Sequence, residues 1–404
     1  MSSSLKGIKV VDLTQSIAGP FATQILGDLG ADVIKIERVD IGDDTRQWGP
    51  PFWGQESATF LAYNRNKRSL SINLKEEEGR EILESLIKEA DILVQNLRPG
   101  ALDKLGFSYE QVAKNNSNII YCSINAFGHN GDMKEDPGYD PLIQAFGGLM
   151  SITGEEGRPP VRIPTSILDQ GTGLWAVIAI MDALKQREQT GKGSFIQTSL
   201  LNTALMWLPS QIVGYFADKT IPKRLGSGTV GISPYQAFPT KDGYIIIAAG
   251  NDNLWKQLCL TLKREDLISD PKFIHNPERV KNRDLLFEEL SMVLQSEESE
   301  VWLEKLKKVG VPVTPVQTID QVVQHDQILS IEAFKETNHP EIDNLKLINT
   351  PFLNNGKYPV IDKAPPLLGQ HNIEILEELG FTENQIENFI KNSVINSSKV
   401  SSKK

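Results

Sequence analysis

The most chemically suggestive residue of this sequence is Asp169, an acid at the start of a long apolar segment. It follows Ile167 and Leu168 and precedes a Gly-Thr-Gly sequence and a run almost free of charge. A buried carboxylate is costly unless it is paired or used. Asp169 could cap a helix that we expect to begin near Thr172, pair with a buried base, or act as a nucleophile or general acid/base.

On the local sequence alone, the helix cap is the simplest interpretation of Asp169, and it is compatible with a nucleophile. A weakly solvated carboxylate at a helix N-terminus is reactive. The backbone N–H groups there would also stabilise negative charge that develops during a reaction.

A second carboxylate, Asp140, follows Tyr139 just after a Pro-Gly turn and begins an apolar helix. One interpretation is a second helix cap. The other is functional, because a carboxylate close to Asp169 would shift its pKa and steer protons or charge. The distance between the two acids along the chain leaves open whether they meet.

Basic residues form a third group with chemical potential. Those on or just after predicted strand ends are Arg38, Lys75, Arg98 and Lys104, and the connection 64–75 adds Arg65, Lys67 and Arg68. For any single residue, solvated surface charge is the simpler interpretation. In a chain of formal net charge -10, however, a local basic cluster favours a site for a polyanionic ligand.

The elements that must position these residues alternate along the N-terminal half. Strands are predicted in GIKVVDL, ADVIKIER, DILVQNL and NIIYCSINAFG, and helices in PFATQILGDLG, KEEEGREILESLIKEA and SYEQVAKNN. This order predicts an α/β fold with a Rossmann-like parallel sheet and helices on its faces. Ligands of such sheets bind at the carboxyl ends of the strands, where the sequence places Asp12, Glu37, Asn96 and Asn125.

The remainder predicts a second, smaller α+β domain. A long apolar helix over 171–208 is broken by the charged KQREQTGKG turn, and a Gly-, Pro- and Ser-rich stretch leads into two strands around Lys241-Asp242-Gly243. The predicted organisation is a large α/β domain over 1–205, a linker over 206–225, a small α+β domain over 226–325, a return to the large domain over 326–395 and a disordered tail over 396–404.

Several function classes are disfavoured by what the sequence lacks. Gly19, Gly27 and Gly30 do not form GxGxxG, so NAD is not expected, and neither GxSxG nor a P-loop occurs. Two cysteines and five scattered histidines predict a reducing compartment and no metal. The acidic balance disfavours nucleic acid, and no run approaches the roughly 20 apolar residues of a membrane span. We therefore expect a cytoplasmic protein with no membrane partner.

Six motifs carry a resemblance to a known family. They are VVDLTQSIAGPFATQILGDLGADVIKIER, GDDTRQWGPPFW, YNRNKRSLSINLK, LVQNLRPGALDKLGF, GYDPLIQAFGGLMSITG and APPLLGQH. Together, over residues 6 to about 380, they resemble the class III (formyl-CoA transferase-like) CoA-transferases. The subgroup similar to succinyl-CoA:glutarate CoA-transferase matches best, through GDDTRQWGPPF, GSGTVGISPYQAFPTKDGYIIIAAGN and PPLLGQH.

The resemblance implies a homodimer of interlocked subunits, and coenzyme A as part of the substrates. It places the nucleophile on Asp169, with Tyr139 and Asp140 beside it in the catalytic group. The CoA contacts that it implies are Ala18, Arg38, Ile72, Asn73, Leu74, Lys75, Asn96, Leu97, Arg98 and Lys104. The implied reaction moves CoA from a donor such as succinyl-CoA to a carboxylic acid, for instance a dicarboxylate, through an aspartyl-CoA thioester.

The sequence also departs from the family pattern. Gln15 and Ile17 replace a His and Gln of some members, Lys104 replaces an arginine, and RLGSGTVGISPYQ replaces a tetraglycine loop. Formyl or oxalyl specificity is therefore disfavoured. We expect the loop Gly226–Gly231 to close over Asp169 and exclude water.

Charge alone suggests that Arg46 and Arg162 hold the far carboxylate of a dicarboxylic acid. Two alternatives to the transferase stay open. One is a 2-methylacyl-CoA racemase, although that motif has His-Asp at the position of Tyr139-Asp140 and needs two bases. The other is a non-catalytic CoA-binding protein.

Overall fold

The computed structural model describes residues 4–397, which form two compact units. The first comprises the described residues up to Leu149, Arg162–Asp218 and those from Glu332 onward. The second comprises Met150–Val161 and Lys219–Ile331. Tyr139, Asp140, Asp169 and all the predicted CoA contacts belong to the first unit.

The described elements are as follows. The strands are β1 (Lys9–Leu13), β2 (Asp32–Glu37), β3 (Phe52–Trp53), β4 (Glu56–Ser57), β5 (Lys67–Ser71), β6 (Ile92–Gln95), β7 (Ile120–Asn125), β8 (Ser194–Ser199), β9 (Tyr235–Pro239), β10 (Tyr244–Ala248), β11 (Val313–Pro315), β12 (Phe334–Thr337) and β13 (Leu345–Ile348). The helices are α1 (Ala18–Asp28), α2 (Ala58–Tyr63), α3 (Glu77–Glu89), α4 (Ala101–Lys104), α5 (Tyr109–Asn115), α6 (Asp140–Phe146), α7 (Leu149–Ile152), α8 (Ile167–Thr190), α9 (Leu200–Met206), α10 (Pro209–Asp218), α11 (Asp252–Leu262), α12 (Asn276–Lys281), α13 (Arg283–Leu294), α14 (Ser299–Lys308), α15 (Ile319–Gln324), α16 (Asp326–Ser330), α17 (Asn372–Glu378) and α18 (Glu383–Lys391). Short 3₁₀ helices cover Asp44–Gln47 and Glu265–Ile268.

The first unit is built on a parallel six-stranded sheet of order β5-β2-β1-β6-β7-β8, which confirms the predicted α/β class. In its centre, Val11 of β1 pairs with Ile34 of β2 and Leu93 of β6. One face packs on α3 and on the C-terminal helices α17 and α18, through an apolar cluster that includes Ile82 and Leu376. The C-terminal return to the large unit is thus part of the main core.

Two strands of this sheet were not predicted. The connection 64–75 contains β5, whose five residues KRSLS are all buried. The expected helix over 171–208 is interrupted by β8, which alternates between half-buried and exposed residues at the sheet edge. The charged residues of β5 are typical of an exposed loop, so the sequence did not predict a buried strand there. Burying these charges requires partners that lie far along the chain.

Those partners are carboxylates. Arg65 pairs with Asp28 at 2.7 Å, and Lys67 pairs with Asp12 at 3.0 Å with both side chains fully buried. Arg68 binds Asp32 and reaches two glutamates of α17, Glu374 and Glu378. The expectation that Arg65, Lys67 and Arg68 help to hold an anionic ligand is therefore wrong, because each is already neutralised within the fold.

A second buried pair joins β2 to the segment that follows it. Lys35 pairs with Asp43 at 2.8 Å, both fully buried, and donates to the Thr14 carbonyl at 2.9 Å. Burial alone would raise the pKa of Asp12, but the ammonium groups of Lys67 and Lys35 outweigh it and lower that pKa to about 2. Asp43 also accepts from the Ser16 amide at 3.2 Å, so the network fixes the turn after β1.

The long helix α8 begins at Ile167, earlier than the predicted start near Thr172, and the glycines lie inside it rather than in a turn. A Cβ on Gly173 would lie 2.7 Å from the Ala18 carbonyl oxygen, and one on Gly171 would lie 2.8 Å from the Thr203 side chain. The glycines therefore allow α1 and α9 to approach α8 closely. By length and composition α8 could cross a membrane, but 56% of its most apolar window is buried.

The second unit is an α+β body around the antiparallel sheet β11-β10-β9. Helices α11, α13 and α14 cover this sheet through an apolar cluster that includes Trp255, Leu290 and Leu306. Buried Arg279 donates to the Ser233 and Gly250 carbonyls and binds Asp252.

The bounds of the second unit are wider than the predicted 226–325. Its early segment joins because Glu155 bridges Leu225 and the Gly226 amide donates to Gly154 at 2.8 Å. Such long-range pairing leaves no periodic signal in the sequence. Of the predicted tail 396–404, residues 398–404 lie outside the described residues, whereas Asn396 accepts from Ser71 and Asn372.

The close contact at Gly173 generates a prediction. We expect Gly173→Ala to destabilise the protein by about 1–3 kcal/mol, because the added methyl group would collide with rigid backbone of α1. Urea unfolding would measure it. Gly214→Ala in α10 is the matched control, since nothing lies within 4 Å of its Cβ position. Equal stability of the two variants would contradict the close-packing role.

Candidate active site

Asp169 lies in the first turn of α8 and is 9% exposed. The N-cap position is Ser166, whose side chain makes no capping hydrogen bond. The helix-cap interpretation of Asp169 is therefore wrong, because the helix begins two residues before it. Its carboxylate is not used by its own helix end.

Asp140 caps α8 from a neighbouring helix. Its Oδ2 accepts from the backbone N–H of Leu168 at 2.7 Å and of Asp169 at 3.2 Å. The other carboxylate oxygen accepts from the Gln144 amide at 2.5 Å. Asp140 is 2% exposed. Its hydrogen bond to the Asp169 amide brings two buried acidic residues together although they are far apart in the sequence.

Gln144 holds this arrangement in place. Its side chain is fully buried, and its amide oxygen accepts from the Ile163 N–H at 2.8 Å while its Nε2 donates to the Ile163 carbonyl at 3.2 Å. One side chain therefore ties the segment leading into α8 to Asp140. No sequence pattern singles out Gln144, because a glutamine inside an apolar helix belongs to no motif.

The surroundings of Asp169 make it an unusually weak acid. Burial, and then the neighbouring charge of Asp140, raise the pKa of Asp169 to about 7. Both effects disfavour the ionised form, because the site supplies little solvation and a like charge. A carboxylate that does ionise there is poorly solvated, which suits a nucleophile.

The backbone donors of this helix start are already occupied. Ile167 N–H donates to Thr165, Gln170 N–H donates to Ser166, and those of Leu168 and Asp169 donate to Asp140. The expectation that backbone N–H groups at this terminus stabilise developing negative charge is therefore wrong. A hydrogen-bond donor for a developing negative charge must therefore be a side chain or a backbone group outside residues 167–170.

The side chain of Gln170, the residue after Asp169, binds a tyrosine hydroxyl. Tyr63, the last residue of α2, accepts a hydrogen bond on its hydroxyl oxygen from Gln170 Nε2 at 2.8 Å. Sequence reasoning missed both residues. The position of Gln170 directly after Asp169 is a sequence signal that would have identified it as a candidate. No sequence signal connects Tyr63 to this site.

Tyr139 occupies the N-cap position of α6 and is 58% exposed. Its backbone carbonyl accepts from Leu142 and Ile143, which begins the helix. The side chain is thus near the site through its neighbour Asp140, but its ring lies on the surface.

A cavity of about 340 Å³ opens at the carboxyl ends of β1 and β2. Six of the predicted CoA contacts line it: Arg38, Ile72, Asn73, Leu74, Lys75 and Leu97. Its walls combine apolar side chains with two exposed basic ones, a combination that suits a planar group carrying phosphate. Leu97 also lines a neighbouring cavity of about 480 Å³, together with Lys104.

The other predicted contacts are placed differently. Ala18 is buried at the start of α1, and Arg98 is exposed beyond the end of β6. Asn96 exchanges two hydrogen bonds with the Gln15 backbone, at 2.8 and 2.7 Å, and so fixes the turn after β1.

The two arginines proposed for a far carboxylate differ. Arg46 is committed inside the fold, with Nε 2.7 Å and Nη2 2.8 Å from the two oxygens of Glu37 and a third contact to Glu56. Its expected role toward a substrate is therefore wrong. Arg162 is exposed and donates to the Pro164 carbonyl at 3.0 Å.

The loop Gly226–Gly231 belongs to the second unit. Arg283 anchors it by donating to the carbonyls of Thr229 at 3.0 Å and Val230 at 2.8 Å. Its closure over Asp169 stays a prediction.

Comparison with known proteins supplies the chemical context. The family described as CoA-transferase family III matches residues 5–372. The chain is 42% identical over 393 residues to succinyl-CoA:glutarate CoA-transferase of Mus musculus, covering 97% of this chain and 90% of the mouse protein. Acetyl-CoA:oxalate CoA-transferase of Acetobacter aceti is 39% identical over 322 residues, covering 80% and 82%. A solved CAIB/BAIF family protein from Brucella suis is 39% identical with a TM-score of 0.87, covering 94% and 100%.

The raised pKa of Asp169 predicts a stability change with pH. An unfolded aspartate has a pKa of about 3.9, so ionising Asp169 costs folding free energy as pH rises from there to about 7. We expect the free energy of unfolding of Asp169→Asn, relative to that of wild type, to be about 2–3 kcal/mol greater at pH 8 than at pH 5.

Urea unfolding at the two pH values measures this effect, with the amide verified by mass spectrometry because deamidation would restore the acid. Asp132→Asn, at an exposed position, controls for the loss of one negative charge. A stability difference that does not change with pH would contradict the raised pKa.

Proposed function

The chain belongs to the CoA-transferase family III, and we propose that it moves CoA from a donor acyl-CoA to an acceptor carboxylic acid through a thioester on Asp169. The observation that supports the nucleophile is the buried pair of Asp169 and Asp140 at the start of α8. Of the predicted catalytic residues, Asp169 alone is buried with no hydrogen bond or ion pair to its carboxylate within residues 4–397.

In the first step the Asp169 carboxylate attacks the thioester carbonyl carbon of the donor. The carbon–sulfur bond breaks, and the products are a mixed anhydride on Asp169 and CoA thiolate. The thiolate then attacks the Asp169 carbonyl of the anhydride. This releases the donor acid and leaves the aspartyl-CoA thioester.

In the second half the acceptor carboxylate attacks the Asp169 carbonyl carbon of the aspartyl-CoA thioester, the carbon–sulfur bond breaks, and a mixed anhydride of Asp169 and the acceptor forms with CoA thiolate. The thiolate then attacks the acceptor carbonyl carbon of this anhydride and breaks its bond to the Asp169 oxygen. CoA leaves on the acceptor, and the Asp169 carboxylate is regenerated. Covalent catalysis conserves the energy of the thioester, which hydrolysis would lose, so water must be kept from Asp169. Its 9% exposure supports this requirement.

Asp140 has two proposed roles in this scheme. It fixes the first turn of α8 and so the position of Asp169. The charge of Asp140 also disfavours the ionised form of Asp169 in the free site. When Asp169 bonds to a carbonyl carbon it loses its negative charge, so the repulsion between the two carboxylates is relieved.

We propose succinyl-CoA or a similar donor, and a dicarboxylic acid such as glutarate as acceptor. The support is the similarity to a protein named for these two substrates. Because Arg46 is bound to Glu37, Arg162 is the remaining arginine of the two proposed for the far carboxylate.

We propose CoA as the ligand of the cavity at the carboxyl ends of β1 and β2. Lys75 and Arg38, whose contact with Asp44 is exposed to solvent, would bind its phosphate groups, and Ile72 and Leu74 would contact its adenine ring. Leu97 lines both this cavity and its neighbour, and we propose that the pantetheine arm of CoA passes along it.

We also propose a cytoplasmic homodimer. Apolar side chains of α8 and α9 are exposed in the single chain, among them Leu174, Ile178, Leu205 and Met206. Exposed apolar groups that lie together are typical of a subunit interface.

The nucleophile is tested by removing it. We expect Asp169→Ala to lose transfer activity by at least about 10³-fold, because in the proposed mechanism the covalent intermediate forms on the Asp169 carboxylate. The assay offers succinyl-CoA and a panel of carboxylic acids and reads the new thioesters by mass spectrometry. Asp132→Ala is the matched control at an exposed acid.

Transfer that survives Asp169→Ala would contradict the nucleophile. Tight CoA binding with no transfer to any acid by wild type would support a binding protein instead. Solvent deuterium entering the α-carbon of a 2-methylacyl-CoA would support a racemase.

The CoA site generates a separate prediction. We expect Lys75→Ala to weaken CoA binding about three- to tenfold, the effect of losing roughly 1 kcal/mol of attraction between an exposed charge and phosphate. Titration calorimetry at low and high salt should show that the difference shrinks with salt. Lys88→Ala on α3 is the matched control, and an equal loss in both variants would contradict a site at Lys75.

A further inference from the structure

The attack on a thioester leaves a need that the start of α8 does not meet. As Asp169 bonds to the carbonyl carbon, negative charge develops on the acyl oxygen, and hydrogen-bond donors lower the barrier. The backbone N–H groups of residues 167–170 all donate within the fold. A donor for the acyl oxygen must come from a different group.

Tyr63 is held in one orientation beside this helix start. Its ring packs edge-on against Phe21, with centroids 5.8 Å apart and an interplanar angle of 86°. Its hydroxyl oxygen accepts from Gln170 Nε2 at 2.8 Å. The same Gln170 nitrogen donates to Thr165 Oγ1 at 3.4 Å, so both of its hydrogens are used and the amide is fixed.

The Tyr63 hydroxyl still has a proton to donate. A phenol offers one donor in addition to its acceptor sites. Within residues 4–397, the only hydrogen bond of this hydroxyl is the one it accepts from Gln170. Because the hydroxyl oxygen accepts from the Gln170 amide, its own hydrogen is not used in that contact and is free to be donated to a ligand.

The phenol is a neutral donor in this setting. Burial raises the pKa of Tyr63, the Gln170 hydrogen bond opposes the shift, and the charges of Asp169 and Asp140 raise that pKa further. The hydrogen bond from Gln170, the residue that follows Asp169 in α8, holds the hydroxyl at this helix start. A neutral donor can stabilise an oxyanion there without forming an ion pair that would neutralise the nucleophile.

We propose that Tyr63, oriented by Gln170, donates its O–H to the acyl oxygen that becomes negative when Asp169 attacks, an inference that rests on the proposed function. The Asp169 oxygen bonds to the carbonyl carbon, and the carbonyl π electrons move onto the oxygen that accepts from Tyr63. When the carbonyl reforms, the carbon–sulfur bond breaks and CoA leaves as thiolate. The Tyr63 proton stays on its oxygen throughout. Tyr63 is thus a catalytic residue and Gln170 a positioning residue.

The test is Tyr63→Phe, which removes the hydroxyl and keeps the ring against Phe21. We expect kcat for CoA transfer to fall about 10²-fold, the effect of deleting one oxyanion donor. KM for the acyl-CoA should change by less than about twofold, because the hydroxyl acts on the reacting oxygen and not on the nucleotide. Tyr244→Phe, at an exposed tyrosine of the second unit, is the matched control, and thermal melting verifies folding.

Gln170 is tested through Tyr63. We expect Gln170→Met to lower kcat in the wild-type background and to have little further effect in Tyr63→Phe, because Gln170 acts through the hydroxyl. Equal losses in both backgrounds would overturn the positioning role.

A Tyr63→Phe enzyme that keeps kcat within about twofold of wild type would overturn the proposal while leaving the transferase function intact. A loss confined to KM would overturn it as well. If wild type transfers CoA to no acid, the proposed function fails and this inference fails with it, so the two failures are distinguished by the wild-type assay.

Discussion

The structure of the site depends on one contact, the Asp140 carboxylate bound to the backbone N–H groups of Leu168 and Asp169. It fixes where α8 begins and sets a second carboxylate next to Asp169. Together with burial, that neighbour raises the pKa of Asp169 to about 7. The same contact occupies the N–H groups of Leu168 and Asp169, and those of Ile167 and Gln170 donate to backbone carbonyls. A donor for a reacting oxygen must therefore come from a side chain such as Tyr63.

The sheet supports this site through buried charge rather than apolar packing alone. Lys35 within β2 and Lys67 at the start of β5 lie fully buried and pair with Asp43 and Asp12, and the turn after β1 is held by Asp43 and Asn96. Removing one member would leave an unpaired buried charge, which is strongly destabilising. These contacts hold the turn after β1 in place, and Gln15 of that turn lines the cavity that we assign to CoA.

The sequence predicts those strands and helices whose apolar residues recur with a regular spacing. The strands β1, β2, β6 and β7 and the helices between them follow apolar patterns, whereas β5 was missed because its Lys67 and Arg68 read as surface charge. The start of α8 was missed because Gly171 and Gly173 read as a turn, although they permit close helix packing. The meeting of Asp140 with Asp169, and of Tyr63 with Gln170, depends on long-range geometry that no local pattern encodes.

The central claim, a covalent intermediate on Asp169, is tested most directly by trapping it. The enzyme is mixed with acyl-CoA and hydroxylamine, digested, and analysed by mass spectrometry of the peptide that contains Asp169. The account predicts a hydroxamate on Asp169 that forms only when acyl-CoA is present, with Asp140 unmodified. Continued CoA transfer with no hydroxamate on Asp169, or a hydroxamate on a different residue, would contradict it.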